Sequence, residues 1–169
     1  NDGIEDGCLL RIKGLEKYYP NLIRVPERQM FSEFVGYTKL EGIKGGDFST
    51  LTPHLVSYVN GWKIFDKHLT NHPAVTKVGD ARQLFQLLKS NRTDVVLYER
   101  WQGHWMLNSL GVENAIQIEP SFIKMETFMY LNKRHRSLIP KLAAALAEIK
   151  KDGTYQMLYD QYLTTLLTD

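Results

Sequence analysis

The sequence predicts an α/β protein, a parallel or mixed sheet wrapped by helices, arranged as two lobes. Three observations carry this. Short β-prone runs alternate with helix-period runs between residues 54 and 119. The run Asp94–Glu99 (DVVLYE) is apolar without alternation, as a strand covered on both faces requires. The segments outside residues 54 to 119 hold strands and helices but no complete sheet of their own.

Each element has its own signal. His54–Val59 (HLVSYV) is β-branched and aromatic, and Asn60-Gly61 closes it; WKIFDKHL then carries Trp62, Ile64, Phe65 and Leu69 at helical spacing, so a helix is predicted over Trp62–Leu69. Pro73 introduces a second strand, Ala74–Val78. Asp80 is a good N-cap for a helix over Ala81–Lys89, whose Leu84, Phe85, Leu87 and Leu88 form an apolar stripe. Asn91 ends that helix, and Asp94–Glu99 is the third strand. A helix over about Trp101–Leu110 follows, closed by Gly111, and Ala115–Glu119 (AIQIE) reads as a fourth strand stopped by Pro120. The order is βαβαβαβ, with connections long enough for right-handed crossovers.

The flanks are more fragmentary. Residues 1 to 50 hold a strand-like CLLRI, a turn or helical segment to Tyr19-Pro20, the extended LIRVP and FVGYTK, then a Gly-rich linker, GIKGGDF. After Pro120 come the strand-like ETFMYLNK and two helices. The first has Pro140 near its start, Leu142, Leu146 and Ile149 on one face, and Gly153 as its stop. The second has Thr154 as N-cap and carries Tyr155, Leu158, Tyr162, Leu163 and Leu166. A lobe built from both chain ends accounts for these pieces, with residues 1–50 and 136–169 in lobe one and 51–135 in lobe two.

Composition bounds the function. With 169 residues, 43% hydrophobic and 24% charged, the chain can bury a core without disulfides or metal. The excess of 21 Lys and Arg over 19 Asp and Glu is small and dispersed, which leaves no nucleic-acid footprint. Its densest basic run, Lys133-Arg134-His135-Arg136, reads as a solvated strand end. The single cysteine, Cys8, sits in an apolar run and reads as a buried structural thiol. No apolar run approaches the roughly 18 residues of a membrane span. The chain opens at Asn1 without a signal sequence, as a processed or excised protein would.

Ligands of such sheets lie outside the carboxyl ends of the strands. Those ends are Asn60-Gly61-Trp62-Lys63, Gly79-Asp80 and Tyr98-Glu99-Arg100. Backbone N–H groups of Gly61, Trp62 and Lys63, pointing freely from a helix N-terminus, would suit a carboxylate. Glu99 would suit an ammonium, the alternative being a surface pair with Arg100. Trp62, Tyr98 and Trp101 form either an aromatic wall for a ligand or part of the core.

Catalysis finds no such support. The five histidines show no ligand spacing, and HExxH, GxSxG, CxxC and P-loop motifs are absent from the sequence. Neither metal nor cofactor is expected, and the chain reads as non-enzymatic.

In order and spacing, GWKIFDKHL, VTKVGDARQLFQLLKSNRTDVVLYE and ETFMYLNKRHRSLIPKLAAALAEIKKDGTYQMLYDQYL resemble the second lobe and C-terminal return of the periplasmic type II solute-binding proteins, the family-3 extracellular proteins that include histidine, glutamine and arginine binders. The motifs that carry it are Asn60-Gly61, Asn91-Arg92-Thr93-Asp94, Asn132-Lys133 and Asp152-Gly153-Thr154-Tyr155. The match covers about residues 50 to 165 well and 1 to 50 loosely.

The resemblance implies a type II periplasmic-binding-protein-like fold that closes on a small polar, amino-acid-like solute in an interlobe cleft. It implies a periplasmic protein serving an ABC importer through a membrane permease, or the sensor domain of a receptor. The effector domain of a cytoplasmic transcription regulator, or an enzyme on the same scaffold, are the alternatives. The resemblance also implies that Glu99, five residues after Asp94, stands at the position of the family's amine-binding carboxylate.

Two departures stand out. The chain starts near Asp6-Gly7, where the family already has a βαβ unit of roughly 30 residues behind it. Tyr18, beside Lys17, stands where the family places an Arg for the ligand carboxylate, and Arg11 is the nearest substitute. An incomplete lobe one would leave a sheet edge that predisposes the chain to form a homodimer, and would weaken solute binding by the chain alone.

Overall fold

The computed structural model describes residues 5–167. In chain order the elements are β1 (Gly7–Ile12), β2 (Leu22–Arg24), β3 (Met30–Thr38), β4 (Val56–Val59), α1 (Lys63–His68), β5 (Val75–Val78), α2 (Ala81–Lys89), β6 (Val95–Glu99), α3 (Arg100–Leu110), β7 (Ile116–Asn132), α4 (Ile139–Lys151) and α5 (Thr154–Tyr162). The chain divides into two compact units. One is built from the described residues up to Ser32 and from Met125 onward, the other from Glu33–Lys124. Sequence reading placed the divisions at 50/51 and 135/136; they fall instead inside β3 and β7, because each of these strands runs on from one unit into the other without a linker.

The Glu33–Lys124 unit is a five-stranded mixed sheet in the order β5-β4-β6-β3-β7. Strands β4 and β5 are parallel, as are β4 and β6, whereas β3 is antiparallel to β6 with Phe34 opposite Glu99 and Gly36 opposite Leu97. The predicted crossovers therefore produce three parallel strands, and FVGYT, read as part of the flank, inserts between β6 and the fourth expected strand. Alternation along the strands sends Val35, Tyr37, Val96 and Tyr98 to one face, under Leu84, Phe85 and Leu88 of α2 and Met106 and Leu107 of α3. Val56, Tyr58, Val95, Leu97, Ile118 and Phe122 go to the other, with Phe65 of α1.

Local signals set the helix ends. The Asp80 carboxylate accepts the Gln83 N–H at 2.8 Å, so α2 starts where its cap predicts. Gly111, at φ 58°, closes α3 in the left-handed region. One strand differs from expectation: β7 does not stop at Pro120 but continues to Asn132. Pro120 lacks an N–H, yet β7 is the edge of this sheet, where a proline removes no ladder bond from a central pair. The loop at Gly45 meets it there, with the Gly45 N–H donating to the Glu119 carbonyl at 2.9 Å. A side chain at residue 45 would collide with the Pro120 carbonyl, which is why this loop is glycine-rich.

In the other unit β7 lies between β1 and β2, antiparallel to both. Tyr130, fully buried on β7, donates its hydroxyl to Glu16 Oε2 at 2.7 Å. Leu142, Leu146 and Ile149 of α4 are half-buried on one face, and the Lys150 ammonium binds Glu27 at 2.5 Å. Gly153, at φ 87°, both ends α4 and caps α5, so Thr154 is the first helical residue rather than the N-cap. Leu158 and Tyr162 of α5 are exposed. Cys8 is half-buried on β1, less enclosed than its apolar neighbours suggested. The basic run at residues 133–136 forms a 3-10 turn after β7, with Arg134 and His135 bound to Asp6 at 2.5 and 2.7 Å.

Candidate functional site

The carboxyl ends of β4, β5 and β6 bring most of the predicted residues to one edge of the Glu33–Lys124 unit. After β4, Asn60 donates its N–H to the Val78 carbonyl at 2.8 Å, and Gly61 turns the chain at φ 88°. Open space surrounds the Gly61 Cα, so the backbone angle and not crowding selects glycine there. The N–H groups of Trp62 and Lys63 do not point freely. They donate within the turn, to the Val59 carbonyl at 3.4 Å and the Gly61 carbonyl at 3.0 Å. Helix α1 is only six residues long and has no side-chain cap, so the expected carboxylate cradle is spent on closing the turn itself.

Trp62 stands over the strand ends and packs with both faces of the sheet. Its ring stacks on Tyr98 (centroids 4.7 Å apart) and on Phe65 (5.7 Å), and the edge of Phe34 meets it at 5.7 Å. Of the three expected aromatics, Trp62 and Tyr98 therefore form one stack. Trp101 is buried in the first turn of α3 as core. Lys63 is exposed. Arg11, the candidate for a ligand carboxylate, is exposed on β1 in the other unit, opposite Phe128.

Glu99 closes β6 and caps α3, its Oε2 accepting the Gln102 N–H at 3.0 Å. Only 9% of it is exposed. Burial pushes its carboxyl above the ordinary range, against the lowering effect of the backbone N–H groups of Gln102 and Trp101 and of the Arg100 charge. Arg100 does not pair with it. Its guanidinium reaches Glu33 at 2.6 Å and Glu119 at 2.6 Å, and Glu33 also holds Lys124 at 2.8 Å. Burial pushes the Glu33 carboxyl up, but the Lys124 hydrogen bond and the Arg100 charge outweigh it and hold it below the usual range. Tyr37 donates its hydroxyl to the Arg100 carbonyl at 2.5 Å, which fixes the first turn of α3 from beneath.

Sequence reasoning missed Phe34, Glu33 and Glu119 as neighbours of this edge. No local signal marks them: the antiparallel register of β3 on β6 brings Phe34 and its neighbour Glu33 to this edge, and Glu119 comes with β7, the strand beside β3. Chemically, the edge presents a buried, cap-held carboxylate whose adjacent cation is committed elsewhere, beside an aromatic stack. Among the described residues no group of His, Cys, Asp and Glu stands close enough to hold a metal ion. No helix among them is long and apolar enough to cross a membrane.

Comparison with known proteins bears on the fold. No family model matches the chain, and no curated protein sequence matches it. Solved structures do. A histidine kinase sensor domain with similarity to periplasmic binding proteins superposes with TM-score 0.66 and 12% identity, over 94% of this chain and 68% of that one. The fold is that of the periplasmic binding proteins. The GluR0 ligand-binding core of Nostoc punctiforme, in complex with L-glutamate, superposes with TM-score 0.68 and 17% identity over 95% of this chain and 74% of that one. An ancestral amino-acid-binding protein, a precursor of cyclohexadienyl dehydratase, gives TM-score 0.69 and 17% identity over 95% and 70%. At these identities the likeness to the periplasmic binding proteins is one of fold, and it agrees with the type II architecture that the sequence motifs resemble.

Proposed function

We propose that this chain binds a small amine-bearing, amino-acid-like solute at the strand-end edge, with Glu99 receiving the ammonium, and releases it unchanged. One observation carries the reading. Glu99 is a buried carboxylate that its adjacent arginine does not neutralise, since Arg100 is bound to Glu33 and Glu119. A buried charge of this kind is costly until a cation meets it, and a solute ammonium supplies one. The stacked Trp62 and Tyr98 beside it add an aromatic surface suited to the same cation or to an apolar side chain. The solved structures of this fold that bind amino acids or glutamate support the class of ligand.

In this reading the protein works outside the cytoplasm, in the periplasm, and hands its solute to the membrane permease of an ABC importer. A second role, the sensor domain of a membrane receptor, is favoured by the likeness to a histidine kinase sensor domain.

A thermal-shift screen against amino acids, polyamines and small carboxylates tests the reading. A solute that binds only the folded state adds about 2.7 kcal/mol at 100 times its dissociation constant. Amine-bearing solutes should raise the melting temperature of the native chain and leave that of Glu99→Gln unmoved, and mass spectrometry should recover the solute intact. No response to any amine, an undiminished response in Glu99→Gln, or a chemically altered solute would each refute it.

A further inference from the structure

An ammonium seated on Glu99 brings the rest of its molecule to the same edge, so the groups around Glu99 decide what else that molecule can carry. In an α-amino acid the carboxyl carbon lies about 2.5 Å from the nitrogen. With an ammonium hydrogen bond of about 2.8 Å, the solute's own carboxylate settles within roughly 6 Å of Glu99, the range over which like charges disfavour each other.

Helix N-termini are the usual receivers of such a charge, and all three at this edge are taken. The turn before α1 uses the N–H groups of Trp62 and Lys63. The Asp80 carboxylate caps α2, and the Gly79 N–H beside it is given to Gln83 Oε1 at 3.1 Å. Glu99 itself caps α3. Two of the three termini therefore present a carboxylate where an anion would otherwise sit. Both charges act on the aromatic stack: burial raises the pKa of the Tyr98 hydroxyl, and Glu99 and Asp80 raise it further. The cations of the edge are committed or solvated. Arg100 and Lys124 are matched by the carboxylates of Glu33 and Glu119. The Arg100 Nε has no hydrogen-bond partner among the described residues, but it is itself buried, out of a solute's reach. Lys63 and Arg82 are exposed, where an ion pair contributes little.

Taking Glu99 as the ammonium seat proposed above, we infer that its solute is an amine without an ionised carboxylate, the decarboxylated counterpart of an amino acid with an apolar or aromatic body. Glu99 receives the ammonium, and the stacked Trp62 and Tyr98 receive the body. The zwitterion of the same amino acid gains no donor for its carboxylate at this edge and places that charge beside Glu99 and Asp80.

Calorimetric titration of the native chain with matched pairs is the test: 2-phenylethylamine against phenylalanine, tyramine against tyrosine, and 3-methylbutylamine against leucine. Each molecule has a single nitrogen, so a bound ammonium cannot leave the carboxylate at the far end. The amine of a pair should bind about tenfold more tightly than the amino acid, or better. Asp80→Asn keeps a side-chain cap on α2 while removing one negative charge, so the variant should fold and should narrow that gap. An amino acid that binds as tightly as its amine, or a gap that Asp80→Asn leaves unchanged, would overturn the inference; where Glu99→Gln still abolishes the binding, Glu99 remains the ammonium seat. Binding by no member of the three pairs would overturn it as well, and the thermal-shift screen with Glu99→Gln then decides separately whether Glu99 receives any amine.

Discussion

The Arg100 guanidinium lies 2.6 Å from the Glu33 carboxylate, and the two residues tie the start of α3 to β3 at the strand-end edge. Arg100 also holds Glu119 of β7, so one side chain cross-links three elements.

Removing it leaves Glu33 partly buried with Lys124 as its remaining ion-pair partner among the described residues. Arg100→Met is expected to cost about 2 kcal/mol, below the roughly 3–5 kcal/mol of a fully buried pair, because these groups keep some solvent contact. The pH dependence should move as well. Glu33 has a folded-state pKa below its unfolded value, so its contribution is present above the unfolded pKa and is lost as pH falls through the folded one. Loss of Arg100 raises that folded pKa, and the acid limb of the stability curve should shift to higher pH. Urea midpoints measured between pH 3 and 7 check both effects; an unshifted acid limb would show that Lys124 alone holds Glu33.

Trp62 packs with both sheet faces through Tyr98, Phe65 and Phe34. Trp62→Ala should therefore destabilise the unit by about 2–3 kcal/mol, less than a fully buried tryptophan because the ring is partly exposed. A change below 0.5 kcal/mol in chemical denaturation would mean that the stack is incidental to the fold.

How far such features can be read from sequence depends on the range of the signals that make them. Helix α2 was legible to the residue, since Asp80, the apolar stripe and the final lysine all act within one helix. Gly111 announced the end of α3 for the same reason. The end of β7 was not legible: Pro120 reads locally as a stop, and it is harmless because β1 and β2 pair with β7 only from Thr127 onward. That Glu99 ends a strand could be read from the apolar run before it. The commitment of Arg100 to Glu33 and Glu119 could not, because it rests on the pairing of β6, β3 and β7, which are distant segments of the chain. The misreading of the Trp62 and Lys63 N–H groups has a similar origin. A sequence shows that a helix begins, but not whether its first donors are consumed by the turn that precedes it.

Gly103 lies in α3 directly above Tyr37, and a Cβ there would sit 2.2 Å from the Tyr37 ring. Tyr37 is fully buried and its hydroxyl is bound to the Arg100 carbonyl, so the ring cannot swing aside. Gly103→Ala, which would favour a helix on propensity alone, should instead destabilise by about 3 kcal/mol through overpacking. Tyr37→Ala would open space and relieve the clash, so the double variant should lose less than the sum of the single losses; additivity in a double-mutant cycle would refute direct contact.

Glu99 gives the complementary pH prediction to Glu33. Burial raises its folded-state pKa above the unfolded value, so the folded state binds the proton more tightly. Stability must then fall as pH rises between those two values, because the unfolded state there binds fewer protons than the folded one. In Glu99→Gln no ionisation remains at this position, and that part of the slope should vanish. The amide oxygen can still accept the Gln102 N–H that caps α3, so the variant should be at least as stable as the native chain at pH 8. An amine bound to the native protein reverses the sign for the same residue. It stabilises the ionised carboxylate, lowers the pKa, and makes ligand-bound stability rise where ligand-free stability fell. Melting temperatures of the native chain and Glu99→Gln, taken from pH 4 to 8 with and without the amine that scores in the screen, separate the cases. Parallel pH profiles for the two proteins, with and without amine, would remove Glu99 from both the titration and the site.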